Sequence, residues 1–518
     1  MWARAFLPMG LLASRTKVAG WQLASGHFIA AKMAPTIIAP RADVDTTAWE
    51  RHRRAPSTST WTYPVGVQGG AWPFHYEIVS GGGSGVTIGE DYGDVDYGVM
   101  KITSPAVGTY SISIKVTDQD TTAVTRDFTL EVIDRDNTTY FLWLDATSGS
   151  DSNAGTFTAP KQTLNGWYLT THTDTTHTGK QVHYKAGTYT PTGITAVGSS
   201  SQQITLRTAK PLVHVALHED VVIFDLGNVV YFILESTVTP GGYWGGIDFV
   251  NPRVNEGGNA RKTFLRNETH KDRFTVFRCS FDGGGDTSSV SGSNSAAIGL
   301  LGTSPSNYTY VCECTFNDCD NMDTVLMYEC NLLTIERCEV TGSYGGTFNP
   351  SWGMFIKGGE HDHVTVRANT MIGASKIRPL VHMSEFTQEL KTNIEVCWNN
   401  GRAEHDTNRA SGTVALGQGV SGTLNSYGPF WSYRNNWYVH HFEPTALQDG
   451  PFTFENECIQ CNTTYLATYG FNEVDNAQAT MVYTSPAATD SGMFDGTTNL
   501  LTGASRTTYL GTHGCEVF

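Results

Sequence analysis

Charge is scarce in this sequence: only 16% of its 518 residues are Asp, Glu, Lys or Arg. The balance is acidic, at net −16 with a pI near 5.4, which argues against broad electrostatic attachment to nucleic acid. Long apolar runs are missing too. No stretch reaches the roughly 18 apolar residues of a spanning helix, so no membrane span is expected. Metal-site spacing is absent: among ten Cys, Cys458 and Cys461 form a lone CxxC without a second pair or a His pair at motif distance. No metal site is therefore expected. Cys279, Cys314 and Cys338 each lie inside a β-like stretch and read as buried free thiols.

The first 42 residues contain no acidic side chain, while Arg4, Arg15, Lys17, Lys32 and Arg41 are basic. Phe6 to Ala13 has signal-like apolar character, but Pro8 and Gly10 interrupt it and no clean small-residue cleavage site follows. Residues 1–60 are read as an arm and linker that docks on a partner, with a flexible tail or a signal segment as the other readings. The cluster Arg51-His52-Arg53-Arg54 reads as a solvated linker rather than a binding site.

What is abundant is turn and strand chemistry. Gly (54 residues), Thr, Ser and Asn dominate without a collagen-like period, and 39% of residues are apolar. The chain is expected to be all-β. Between 61 and 136, short alternating runs follow one another: Tyr63-Val65-Val67, Phe74-Tyr76-Ile78, Tyr110-Ile112-Ile114-Val116 and Phe128-Leu130-Val132. About seven strands in this length fit a β-sandwich. The stretch Val67 to Tyr76, with Gly108-Thr109-Tyr110 and Val116-Thr117-Asp118, resembles the Ig-like or cadherin-like modules of bacterial and phage surface proteins, which act as spacers or adhesive units. Asp118 and Asp120 suit turns better than a calcium site, since Ca²⁺ takes about six to eight oxygen ligands.

Residues 137–480 read as a solenoid. Tyr140-Phe141-Leu142-Trp143-Leu144-Asp145 is followed by Gly149-Ser150-Asp151-Ser152-Asn153-Ala154-Gly155-Thr156, Pro160, and then Tyr184-Lys185-Ala186-Gly187-Thr188-Tyr189. This order resembles the opening coil of pectate-lyase-like right-handed parallel β-helices, in which a short capping helix follows the proline. Internal repetition supports it. Val276-Phe277-Arg278-Cys279, Val311-Cys312-Glu313-Cys314 and Ile335-Glu336-Arg337-Cys338 share one pattern, continued by Val366-Arg367-Ala368-Asn369, Val396-Cys397-Trp398-Asn399 and, more weakly, Tyr433-Arg434-Asn435-Asn436. About 24 to 37 residues separate successive copies, a spread that suits coils with variable loops. The pattern predicts aliphatic residues stacked inside and a Cys-to-Asn ladder at one turn. Residues 481–518, with Thr502 to Gly511, resemble the closing cap of such helices, which shields an open edge.

Candidate chemistry on the coils is sparse. Asp318, Asp320 and Asp323 follow one ladder position, Asp282 and Asp286 the one before it, and Glu360-His361-Asp362-His363 alternates carboxylates with imidazoles. Stacked carboxylates could serve hydrolysis or, with Ca²⁺ or Arg, elimination. Turn and loop roles weigh more heavily for all of them, as for His440-His441 and Arg402 to Asp406. Trp352, Trp398, Trp431 and Trp437 could stack on sugars, with core filling the weightier reading. The signature motifs of polygalacturonase-type hydrolases are absent, and Arg378 only superficially echoes a lyase arginine segment.

Arm, Ig-like module and motif-poor β-helix together resemble phage tailspikes, fibres or capsid decoration proteins. The resemblance implies a virion-associated homotrimer, docked to other virion proteins by its arm, that meets a host-surface glycan; the missing motifs lean the reading away from catalysis, and no cofactor is expected, with Ca²⁺ as the alternative. The alternatives are a polysaccharide lyase or glycoside hydrolase acting as a depolymerase, and a secreted or cell-surface bacterial adhesin.

Overall fold

The computed structural model describes residues 20–22, 28–30, 33–41, 51–82, 85–163 and 180–190, and thereafter the strand and turn segments between 203 and 484. Among the described residues there is no α-helix. The chain is all-β.

From residue 141 onward it winds through three parallel sheets, in strict cyclic order between residues 181 and 403. The first sheet runs from Phe141–Leu144 through Gln181–Tyr184 to Phe452–Glu455, and the second from Gly187–Tyr189 to Val482–Thr484. The third runs from Gln203–Thr208 to Val381–Ser384. Each strand pairs with its equivalent one coil on, a connectivity consistent with a parallel β-helix. The capping helix expected after Pro160 and most of the cap expected at 481–518 lie outside the described residues. Val482–Thr484 still pairs in parallel with Cys458–Gln460 and so continues the ladder.

Alternation explains the interior. Val276, Val311, Ile335 and Val366 occupy one register row of the first sheet and are completely buried. In the second sheet Phe249, Phe281 and Phe316 stack with parallel rings, their centroids 5.1 Å apart at each step. Identical residues in register pack identical surfaces, so a one-coil solution repeats.

The turn between these sheets is the repeat seen in the sequence. Arg278, Glu313, Arg337 and Ala368 all have left-handed backbone, with φ between 50° and 54°, a conformation unfavourable for side chains with a Cβ. Each uses its N–H to bond the carbonyl of a residue one coil on, as Arg278 does to Cys312 (3.1 Å) and Ala368 to Cys397 (3.2 Å). The next residue points inward and forms the ladder. Asn369 Nδ2 donates to Ile335 O (3.1 Å), and Asn399 Nδ2 donates to Val366 O (2.9 Å). Their Oδ1 atoms accept the N–H groups of Cys338 and Asn369. Cys314 and Cys338 occupy the same position and direct only weak thiol donors at Val276 O (3.6 Å) and Val311 O (3.9 Å). Seven described cysteines, including Cys279, are buried free thiols. Asn436 lies outside the described residues.

The N-terminal β unit contains a four-stranded sheet, ordered Arg54–Pro56, Ala123–Ile133, Gly108–Thr117 and His75–Ser80. A three-stranded sheet is ordered Trp61–Pro64, Val99–Ile102 and Val86–Ile88. Ile112, Ile114 and Val116 of one strand and Phe128, Leu130 and Val132 of its antiparallel partner are buried, as their alternation requires.

Two features differ from the sequence-based expectation. The boundary at 60 does not separate linker from domain. Thr36–Ala39 pairs with Gly66–Gln68, and Arg54–Pro56 pairs with the end of Ala123–Ile133, because Ile37, Ile38 and Ala55 bury their side chains there. The Arg51-His52 pair is not a solvated linker either, since both side chains are 3% exposed.

Nor is the unit a spacer held apart from the solenoid. Its core is continuous with outward residues of the first sheet, among them Val213, Val215, Tyr243, Phe277, Tyr310 and Cys312. Tyr63 stacks on Tyr243 at 5.5 Å. Thr334 Oγ1 donates to Val67 O (3.0 Å) and Arg367 Nη1 to Gly69 O (2.9 Å). At Gly66 the backbone comes so close to the Tyr310 ring that a Cβ would lie 2.8 Å from it.

Candidate functional site

The solenoid offers three outward faces, and they stand in different conditions. The first-sheet face is sealed. Its outward rows, Tyr310, Thr334 and Thr365 beside Cys312, Glu336 and Arg367, are withdrawn from water beneath the N-terminal unit. Glu336 is the hub there: Tyr310 Oη donates to one oxygen and Arg367 Nε donates to the other at 2.6 Å. Arg337 pairs with Glu313 (3.2 Å) and donates to Tyr97 O of the N-terminal unit. Arg278 bridges Glu313 and Asp96. The cluster holds two parts of the chain together and leaves no room for a substrate.

The second-sheet face is different. Its inward residues Phe249, Phe281, Phe316 and Val340 are buried, so the residues between them face outward. One outward row runs Ile223, Asp248, Ser280, Thr315, Glu339 and Thr370 in consecutive register, and Asn400 and Trp437 hold the next two register positions. The parallel row runs Asp225, Val250, Asp282, Asn317 and Thr341. Coils repeat every ~4.8 Å, so hydroxyl, amide and carboxyl groups recur along a nearly straight track. Asp225 accepts from Asn251 Nδ2 (2.9 Å), and Thr341 Oγ1 contacts Asn317 Oδ1 (3.2 Å).

Two carboxyls of this track are tuned. Asp248 and Glu339 are half-buried, and burial raises both above the usual carboxylate range. Asp282 sits one coil on and two residues along from the position facing Asp248, which puts the two backbones about 8 Å apart from strand spacing and rise. A carboxyl that holds its proton beside a second carboxylate is the general requirement for acid-assisted glycosidic cleavage.

The residues singled out in the sequence are not gathered here. Asp318, Asp320, Glu360, Trp352 and Trp398 lie outside the described residues. Asp323 begins the third-sheet strand Asp323–Met327, in register with buried Ala296, and so belongs to another face. Trp431 begins a strand of the first sheet, in register with Ile394. Trp437 begins a strand of the second sheet, in register with Asn400. His363 Nδ1 contacts Asp362 Oδ2 at 2.7 Å in the first sheet, away from the track. Asp118 spends both oxygens on the N–H groups of Ala71 and Thr122, a turn role. Among the described residues no three His, Cys, Asp or Glu side chains come together to hold a metal.

Asp248 and Glu339 escape a reading of the sequence alone. Their signal is the alternation Ile247-Asp248-Phe249 and Glu339-Val340-Thr341, in which a single acid interrupts an otherwise apolar or neutral strand.

No family matches the chain by sequence, and no curated protein matches it. Among solved structures it is similar to a rhamnogalacturonan lyase at 13% identity and TM-score 0.39, over 72% of this chain and 99% of that one. It is also similar to the catalytic domain of a GH87 alpha-1,3-glucanase in complex with tetrasaccharides, at 11% identity and TM-score 0.27, over 88% and 95% of the two chains.

Proposed function

We propose that this chain is a polysaccharide-contacting solenoid protein whose second-sheet face takes an extended glycan. The observation that carries this reading is the outward row from Asp248 through Ser280 and Thr315 to Glu339, one polar position per coil, with Trp437 three register steps further on. Sugars are bound by such mixed tracks: hydroxyls and carboxyls accept and donate, and indole rings stack on pyranose faces. In this reading the solenoid is a right-handed parallel β-helix. The N-terminal unit is an Ig-like module, supported by its strand order and by Tyr110 Oη returning to Ala106 O (2.7 Å) at the start of its strand.

A second reading is favoured by one feature of the same face. Asp248, with its raised proton affinity, would protonate a glycosidic oxygen, and Asp282 on the next coil would serve as the partner carboxylate. The chain would then be a glycoside hydrolase acting as a depolymerase.

The test incubates the purified full chain with panels of acidic and neutral surface polysaccharides and follows both retention and new reducing ends. Retention lost in Asp248→Asn and Trp437→Ala supports the binding track. Reducing ends that appear with wild type and vanish with Asp248→Asn and Asp282→Asn support hydrolysis. Retention unaffected by all three substitutions overturns the assignment of this face. Virion attachment through residues 1–42 and a homotrimeric state are further proposals, checked by deleting the arm and by measuring mass in solution.

A further inference from the structure

The seam between the N-terminal unit and the first sheet treats its cations in two ways. Around Glu336 each arginine has an anionic partner: Arg367 and Arg337 meet Glu336, and Arg278 meets Glu313 and Asp96. Arg51, nearer the amino end of the solenoid, has no such partner among the described residues. Its side chain is buried at 3% exposure, and its Nε and Nη1 make no hydrogen bond. Its ring contact, over Trp61 at 5.9 Å, sits at the outer limit for a cation–π pair.

The groups that sense this charge most do not compensate it. They are the hydroxyls of Tyr63 and Tyr243 and the imidazole of His183, which burial and Arg51 together hold neutral. Burial depresses Arg51 itself only to about 10, so the guanidinium stays cationic at neutral pH.

Beside Arg51 lies a cavity of about 20 Å³, lined from the unit by Ile38 and Tyr63 and from the first sheet by Val213, Tyr243 and Thr275. No carboxylate is among the lining residues, and Arg41 and Arg273, which also border it, are each engaged with other groups. A cavity needs about 10–15 Å³ to hold one water. This one therefore takes a single monatomic guest and shuts out phosphate, sulfate or a sugar acid. A water would satisfy the N–H groups of Arg51 but bring no charge, and a buried cation without a counter-ion is strongly unfavourable.

We propose that this cavity holds one halide ion, chloride in ordinary salt, received by the Nε–H and Nη1–H of Arg51 as the counter-ion that this end of the seam lacks. A monatomic, monovalent anion matches both the volume and the charge left uncompensated. Because the lining comes from both parts of the chain, the ion ties the N-terminal unit to the solenoid and stabilises their docking by mass action. The site is separate from the second-sheet track, so it stands whether or not that track binds glycan.

The experiment follows thermal unfolding of the full chain in sodium chloride, sodium bromide and sodium gluconate at equal ionic strength, gluconate being too large for the cavity. The expected result is a midpoint that rises saturably with chloride or bromide and not with gluconate, a difference that disappears in Arg51→Met. Crystals soaked in bromide should show an anomalous peak against the Arg51 guanidinium. Three results would each overturn the proposal: equal wild-type midpoints in chloride and gluconate, a chloride effect undiminished in Arg51→Met, or bromide only at exposed side chains with a water beside Arg51 (an adventitious ion only). Should Arg51→Met fail to fold, the presence or absence of the bromide peak in the wild-type protein decides alone.

Discussion

Glu336 and Arg367 are register partners on adjacent coils, and their side chains meet at 2.6 Å with neither reached by solvent. The same carboxylate accepts from Tyr310, and the same guanidinium donates to Val67 O and Gly69 O of the N-terminal unit. The pair therefore fixes coil to coil and unit to unit at one point. Removing one partner leaves the other charged and buried, so Glu336→Gln is expected to cost about 3–5 kcal/mol. The joint change Glu336→Leu with Arg367→Met should cost less than the two single changes added together. Urea unfolding of the four proteins checks this, and simple additivity would show that the two groups act independently.

The ladder makes a prediction of opposite sign. Asn369 and Asn399 each satisfy a carbonyl and an N–H that Cys314 and Cys338 serve weakly or not at all. Cys338→Asn is expected to stabilise by about 1 kcal/mol, the net worth of an added buried hydrogen bond. Asn369→Ala should destabilise by about 1–3 kcal/mol because Ile335 O and Cys338 N lose their partner. Thermal midpoints in reducing buffer compare the two.

Close approach at Gly66 can be tested sterically. A methyl there meets Tyr310 Cδ1 at 2.8 Å, and the ring is fully buried, so Gly66→Ala is expected to cost about 1–3 kcal/mol through overpacking. Gly66→Ala should cost less in a Tyr310→Leu background than in wild type, a comparison in which the lost Tyr310–Glu336 hydrogen bond cancels. An equal cost in both backgrounds would place the strain elsewhere.

Acid sensitivity should begin near neutrality. Burial lowers His214 to about 3, against about 6.5 for an unfolded chain, while its Nδ1 contacts Tyr184 Oη at 2.7 Å and its ring stacks on Trp244 at 4.1 Å. Between those values the unfolded chain binds a proton that the folded chain does not, so stability falls as pH drops below about 6.5 and keeps falling toward about 3. Burial lowers His183 as well, which adds to the same trend. His214→Gln should be less stable than wild type at pH 7.5, yet lose less on going to pH 5. Urea midpoints at the two values decide it, and an identical loss in both proteins would clear His214 of the effect.

Alternation and repetition were legible in the chain because they are local: Ile112-Ile114-Val116 announces a strand, and Val-x-x-Cys or Val-x-x-Asn announces a coil that must stack. Asn369 and Asn399 could be assigned a ladder role for the same reason, since a residue recurring at one turn meets its own kind. The spacer residues within that repeat were a different matter. Phe277, Cys312, Glu336 and Arg367 stand at outward spacer positions with nothing beside them in the chain to say what they meet. Only folding shows that the N-terminal unit covers them and that Glu336 and Arg367 are partners. Arg51 was misread for the same reason, because nothing beside it in sequence reveals that Tyr63 and Tyr243 close over it. Asp248 and Asp282 are separated by a coil of chain and come onto one face only through register. The sequence by itself determined an all-β, coil-stacked chain, because side-chain periodicity dictates which way each residue points. Which outward faces stay open, and which charges lose their water, was decided by tertiary contact between segments hundreds of residues apart.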